Sequence, residues 1–162
     1  MKLLKVKNHL YPGRLVFCML FAFFMGYISY MCVKGQKEFY ISGLPSFAPS
    51  WWLLIFAMTF AYFLMGLALY RVWSQGSMDQ NVRKAITLCF ICLTLNFIWS
   101  IIFFGFCSPF FALAAVIMLI IAVTATLFNF YKTDKIAFVV FCVYLSWAVY
   151  LLLLNISIVI FD

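Results

Sequence analysis

The stretch Pro45–Trp73, PSFAPSWWLLIFAMTFAYFLMGLALYRVW, decides what kind of chain this is. Its first six residues hold two prolines and two serines, which fit a loop better than a helix interior. Pro49 keeps the residue before it out of the helical region, and Ser50 stands at the N-cap position of a long apolar run. That run meets no charge until Arg71. At about twenty residues and about 1.5 Å of rise per residue, it is long enough to cross a bilayer. Trp51 and Trp52 at one end, and Tyr70 and Trp73 at the other, stand at the levels where aromatic side chains meet the membrane–water interface. The stretch reads as a transmembrane helix with a shaped loop at its entrance.

The remainder of the chain has the same character. Of its 162 residues 69% are hydrophobic and 9% charged, with a mean hydropathy of +1.15. Soluble domains carry about 25% charged residues, so no soluble fold could bury this much apolar surface. Apolar runs at about 15–33, 51–73, 85–106, 109–131 and 136–160 predict an all-α integral membrane protein. Five helices joined by short connections make a single bundle over residues 1–162, with no room for a second domain. Pro109 suits the first turn of the fourth helix. Residues 15–33 are too long for the apolar core of a signal peptide and no A-x-A-like cleavage site comes after them, so they read as a retained helix.

The net charge of +7 would suggest nucleic acid as a partner in a soluble protein. Here the basic residues flank apolar runs, so they report topology and no nucleic-acid partner is expected. Lys2, Lys5, Lys7, Arg14, Arg71, Arg83, Lys84, Lys132 and Lys135 fall on one side of a five-span arrangement, and only Lys34 and Lys37 on the other. The positive-inside bias places the N-terminus in the cytoplasm and the C-terminus and the proline-marked entrance outside. That bias, without a transit-type N-terminus, suggests a prokaryotic cell membrane.

Catalytic chemistry finds little support. The single His9 and four acidic residues lie in or near loops and ends, which excludes the familiar triads and histidine-rich metal sites. No glycine-rich phosphate loop is present, and no cofactor is expected. The six cysteines lie in or at the ends of apolar runs and read as small buried hydrophobes, Cys89 and Cys92 included. No Asp, Glu, Lys or His lies deep in a span, where pumps and proton-coupled transporters mark their pathways.

What the spans do contain is amide and aromatic. Asn96 shares a face with Trp99, with Phe103 one turn on; Tyr144, Trp147, Leu151 and Asn155 recur at spacings of three and four. Trp52, Thr59, Tyr62, Gly66 and Trp73 form a third stripe. An Asn surrounded by hydrocarbon needs partners, so Asn96 and Asn155 are expected to face the bundle interior. Such residues serve either to hold helices together or to line a site. Three aromatic stripes around one polar amide suggest a pocket for a large, flat, mostly apolar ligand. Ala112, Ala115 and Ala122 suit close helix approach or a homodimer seam.

At this level of detail the chain resembles the TspO/MBR family, the tryptophan-rich sensory proteins that include the mitochondrial translocator protein. Pro45-Ser46-Phe47-Ala48-Pro49-Ser50, then Trp52, Tyr62, Met65-Gly66 and Val72-Trp73, is similar to the family's P-S-W-x-P-P-x-W … Y-x-x-M-G … V-W. Leu95-Asn96-Phe97-Ile98-Trp99 with Phe103-Phe104-Gly105 resembles L-N-x-x-W-x-x-x-F-F-G. Tyr144-Leu145-Ser146-Trp147 with Leu154-Asn155 resembles P-Y-L-x-W … L-N. Phe47 stands where the family usually has Trp, Ser50 replaces its second Pro, Val143 replaces the Pro before Tyr-Leu, and Met58 holds a position that is often Trp. The end of helix five lacks the Tyr and basic residue of the cholesterol motif seen in animal members, which removes the sequence support for sterol binding.

The resemblance implies a membrane receptor or carrier for tetrapyrroles such as porphyrin or haem, with Pro45, Pro49, Trp52, Tyr62, Asn96, Trp99, Tyr144, Trp147 and Leu151 as ligand-binding residues. It implies a lid over residues 34–50, and neither catalytic nor metal-ligating residues. Two other functions stay open: light-driven oxidative porphyrin breakdown, against which the loss of Trp at 47 and 58 weighs, and a non-catalytic scaffold or stress regulator.

Overall fold

The computed structural model describes residues 11–38, 48–76 and 80–161. Five long α-helices account for most of the described residues: α1 (Pro12–Val33), α2 (Trp51–Trp73), α3 (Gln80–Ser100), α4 (Pro109–Thr133) and α5 (Lys135–Phe161). Each is long and apolar enough to cross a membrane once the turn that extends α3 is included. The chain is an integral multi-pass membrane protein. α1 packs on α2, α2 on α5, α5 on α4, α4 on α3 and α3 back on α1, and α2 also touches α3. α2 is the most enclosed of the five. Of its most apolar stretch 56% is buried, against 22% for α1, the most peripheral helix.

Helix ends obey local chemistry. α1 starts at Pro12, three residues before the expected Leu15, because a proline at the first helical position loses no hydrogen bond. α4 starts at Pro109 for the same reason, as expected. α3 begins at Gln80 rather than 85, since its first turn is solvent-facing and tolerates the exposed Asn81, Arg83 and Lys84. Ser50 holds the N-cap position of α2 and its carbonyl accepts the Leu54 N–H at 2.9 Å, but its hydroxyl makes no cap bond. α3 ends in a π-helical turn, Ile101–Gly105, where the Phe106 N–H reaches back to the Ile101 carbonyl at 3.0 Å. Such turns are frequent at functional sites. Here the turn lies where the consecutive residues Phe103 and Phe104 both enter the core.

One residue, Asp134, joins α4 to α5. Its Oδ1 accepts the Ala137 N–H at 2.7 Å, capping α5, and Arg71 Nε at 3.3 Å. Its Oδ2 accepts Arg71 Nη2 at 2.7 Å and a bond from Gln75 Nε2. Both side chains are nearly inaccessible, 6% exposed for Arg71 and 3% for Asp134. A charge that the sequence offered only as a topology marker thus ties the end of α2 to the α4–α5 corner.

α1 meets α2 through small residues. Cys18, Ala22, Gly26 and Ser29 recur every three or four positions, as close helix approach in a membrane requires. A Cβ placed on Gly66 would lie 3.0 Å from the Ala22 Cβ and 3.2 Å from the Cys18 carbonyl oxygen, so only glycine fits there without displacement. Ala112 and Ala115 are buried within the chain, where they permit close approach to neighbouring helices of the bundle, and Ala122 is half-buried. Cys18, Cys89 and Cys92 are free and buried; Cys92 Sγ sits 3.3 Å from Thr126 Oγ1, linking α3 to α4.

Candidate ligand-binding site

The interior divides into two apolar clusters. One surrounds Tyr62, Cys89, Cys92, Leu93 and Tyr144; the other surrounds Leu54, Met58, Trp99, Phe103, Phe104 and Leu151. Trp147 packs against both and bridges them. The second cluster is built from aromatic stacking. Trp99 lies parallel to Phe103 at 5.3 Å, Phe104 meets Phe103 edge-on at 4.7 Å, and Trp51 meets Phe104 edge-on at 6.2 Å. Each such pair adds about 0.5–1.5 kcal/mol beyond its buried area.

Polar groups line the boundary between the clusters, and most lack partners. Tyr62 OH and Ser29 Oγ share a hydrogen bond of 2.7 Å, and Asn96 and Ser100 lie beside that hydroxyl. Tyr144 lies close to Tyr62 and Cys92. Neither the amide nitrogen nor the amide oxygen of Asn96 finds a hydrogen-bond partner among the described residues, although the residue is fully buried. The same holds for the indole N–H groups of Trp99 and Trp147, the hydroxyl of Tyr144 and the Oδ1 of Asn155. The Nδ2 of Asn155 donates to the Leu151 carbonyl of its own helix at 2.9 Å, so it does not tie α5 to a neighbour. Leaving a buried polar group unmatched costs about 1–3 kcal/mol. Five such residues, two on α3 and three on α5, call for a reason.

Of the residues expected from sequence, Tyr62, Asn96, Trp99, Tyr144, Trp147 and Leu151 all reach this interior. Pro49 is half-buried at the head of α2, and Pro45 lies outside the described residues, as does most of the expected lid. Trp52 does not join the others. Its indole is 76% exposed, because the inward face of α2 is set by Leu54, Met58, Ala61, Tyr62 and Met65, while 52, 53, 56, 60 and 63 share the outer face. The neighbouring Trp51 is the one that turns inward.

Two spaces adjoin Tyr62. A cavity of about 30 Å³ lies against Ser29, Leu54, Met58, Tyr62 and Phe104, room for little more than a water or two. Beside it, a cleft of about 350 Å³ runs between α1 and α2, lined by Phe23, Gly26, Tyr27 and Tyr30 on one side and Ile55, Thr59 and Tyr62 on the other. Residues Gly26, Ser29 and Tyr30 were not expected from sequence. The signal that finds them is the small-residue stripe of α1. Among the described residues no group of three His, Cys, Asp or Glu side chains is placed to hold a metal ion.

The residue pattern, the five-helix bundle and its buried Asn–Trp core meet in one finding: residues 14–161 match the TspO/MBR family. The chain belongs to that family. Its relatives include "Tryptophan-rich protein TspO" of Archaeoglobus fulgidus, 40% identical over 114 residues covering 70% of this chain and 72% of that one. "Tryptophan-rich sensory protein" of Cereibacter sphaeroides is 37% identical over 64% of this chain and 63% of its own. The human "Translocator protein" is 29% identical over 76% and 75%. In this TspO/MBR chain, the family-like residues Tyr62, Asn96, Trp99, Tyr144 and Trp147 are the ones gathered around the cluster boundary.

Proposed function

We propose that this TspO/MBR protein is a membrane receptor or carrier that takes a tetrapyrrole, such as protoporphyrin IX or haem, into the interior between α2, α3 and α5. One observation carries the reading: Asn96, Trp99, Tyr144 and Trp147 present unmatched polar atoms into an otherwise aromatic interior. A flat macrocycle with a polar core and polar edges supplies what those groups lack. Aromatic faces stack on the ring while the Asn96 amide and the Trp147 N–H fix its orientation. The relatives' names, sensory protein and translocator, fit a binding role. The charge bias supports an N-terminus in the cytoplasm of a prokaryotic cell, with the α1–α2 connection outside.

The cavity of about 30 Å³ is far below the roughly 300–1,000 Å³ of ordinary ligand sites, so occupancy requires the helices around it to part. The test is a titration of protoporphyrin IX into the protein in nanodiscs, monitored by tryptophan quenching. Saturable binding that is lost in Asn96→Ala/Trp147→Phe is expected. Binding as tight in that double variant as in the parent would show that the interior is not the site.

A further inference from the structure

We propose that the interior site is entered sideways from the hydrocarbon core of the bilayer, between α1 and α2, and that the Ser29–Tyr62 hydrogen bond latches this entrance. The proposal rests on the binding reading above and adds the route.

Four observations define the route. The 350 Å³ cleft and the small inner cavity share Gly26, Tyr30, Ile55, Thr59 and Tyr62, so they adjoin each other across these residues. The outer mouth opens on the lipid-facing surface, where Phe23, Tyr27 and Tyr30 are 42%, 57% and 39% exposed. Gly26 lets the Tyr62 ring close directly on α1, since a Cβ there would stand 2.9 Å from that ring. Toward the head of α2, by contrast, Trp51, Phe103, Phe104 and Trp99 pack ring against ring.

The way α1 is attached decides how the passage opens. At its start α1 is held to the far end of α2: Arg14 donates to the Trp73 carbonyl at 3.0 Å and stands over the Trp73 ring, and the Tyr11 N–H reaches Tyr70 OH. At the level of the cleft the polar link is Ser29 to Tyr62, 2.7 Å and buried. Breaking that one bond lets α1 lean away about its Arg14 end. The leaning helix bares Tyr62 and, beside it, Asn96. A flat apolar ligand already dissolved in the bilayer then arrives without crossing water. Thr59 offers it little polar resistance, because its hydroxyl is satisfied by the Ile55 carbonyl at 2.9 Å.

Two measurements test the route, one with ligand and one without. In nanodiscs, stopped-flow quenching by protoporphyrin IX is expected to show association and dissociation both slowed at least about tenfold in Thr59→Trp, which narrows the way in. Ser29→Ala is expected to speed both rates about fivefold, the kinetic equivalent of one net hydrogen bond. Separately, Met58→Cys places a thiol on the inner cavity. Peptide-level mass spectrometry should find it alkylated by a bilayer-soluble maleimide, spared by a charged membrane-impermeant one, and protected by Thr59→Trp. Unchanged porphyrin rates in Thr59→Trp, with binding intact, overturn the lateral route and leave the site standing. Bilayer labelling of position 58 that Thr59→Trp blocks, in a protein that never binds porphyrin, keeps the route and removes the porphyrin reading. Labelling by the charged reagent alone overturns the route.

Discussion

Two buried polar clusters lie along α2, about nine residues or 13 Å apart, and they are built on opposite plans. Around Asp134 one carboxylate gathers the donors, Arg71, Gln75 and the first turn of α5, and only the neighbouring Ser74 hydroxyl is left without a partner among the described residues. Around Tyr62 the amide of Asn96, the indoles of Trp99 and Trp147 and the hydroxyl of Tyr144 stay unmatched. Burial penalises the polar groups of both clusters, and the first, at the end of the spans, offsets most of that penalty internally. The difference separates a joint from a receptor: a joint satisfies itself, and a site is left to be completed by what it binds.

Breaking the joint should have the largest effect. Asp134→Ala leaves the Arg71 guanidinium buried without its carboxylate and removes the cap of α5, at a cost of about 3–5 kcal/mol. Thermal unfolding in detergent should show it as a large fall in Tm, partly recovered when Arg71→Met is combined with Asp134→Leu. A single variant as stable as the parent would mean that the pair holds nothing together. Completing the site comes next. Protoporphyrin IX at a hundred times its Kd should raise stability by about 2.7 kcal/mol through mass action, read as an upward shift of the same transition. A scaffold whose polar residues only hold helices would show no shift.

The third expectation reverses the sign of the first. Asn96→Leu removes an amide that has no described partner, so stability should stay level or rise, while protoporphyrin affinity falls at least tenfold, about 1.4 kcal/mol. The two readouts come from one sample, thermal melting with and without ligand. If Asn96→Leu melts as early as Asp134→Ala, Asn96 belongs to the joint class and the contrast between the clusters collapses.

How much of this was legible in sequence depends on the type of signal. The five spans were, because twenty apolar residues in a row have few other uses. Asn96 with Trp99, and Tyr144 with Trp147, were legible as interior faces, because a helical period and an amide in lipid both point inward. The Arg71–Asp134 joint was not, since residues 63 positions apart meet only through the packing of α2 against α5. The contribution of α1 was also hidden. Its Cys18, Ala22, Gly26 and Ser29 are small and chemically unassertive, and their meaning appears only when Gly66 and Tyr62 are seen against them. The π-helical turn at Ile101–Gly105 has no composition of its own to announce it.

Trp51 and Trp52 mark the finest limit of that legibility and give the smallest expected effect. Side by side in sequence, they differ by about 100° around α2, and periodicity alone does not say which one faces in. The family-like spacing points to Trp52, whereas the structure turns Trp51 onto Phe104 and leaves Trp52 on the outer surface. Trp52→Phe should therefore change stability by less than about 0.5 kcal/mol, as expected for an exposed position away from any cap or cavity. Its protoporphyrin Kd should stay within about twofold of the parent's, because an exposed contact of this kind contributes little. The same substitution at Trp51 removes an edge-on partner of Phe104 and should register in both measurements. If Trp52→Phe instead weakens binding tenfold, the ligand rests against the outer face of α2. The unmatched groups around Asn96 would then need another explanation.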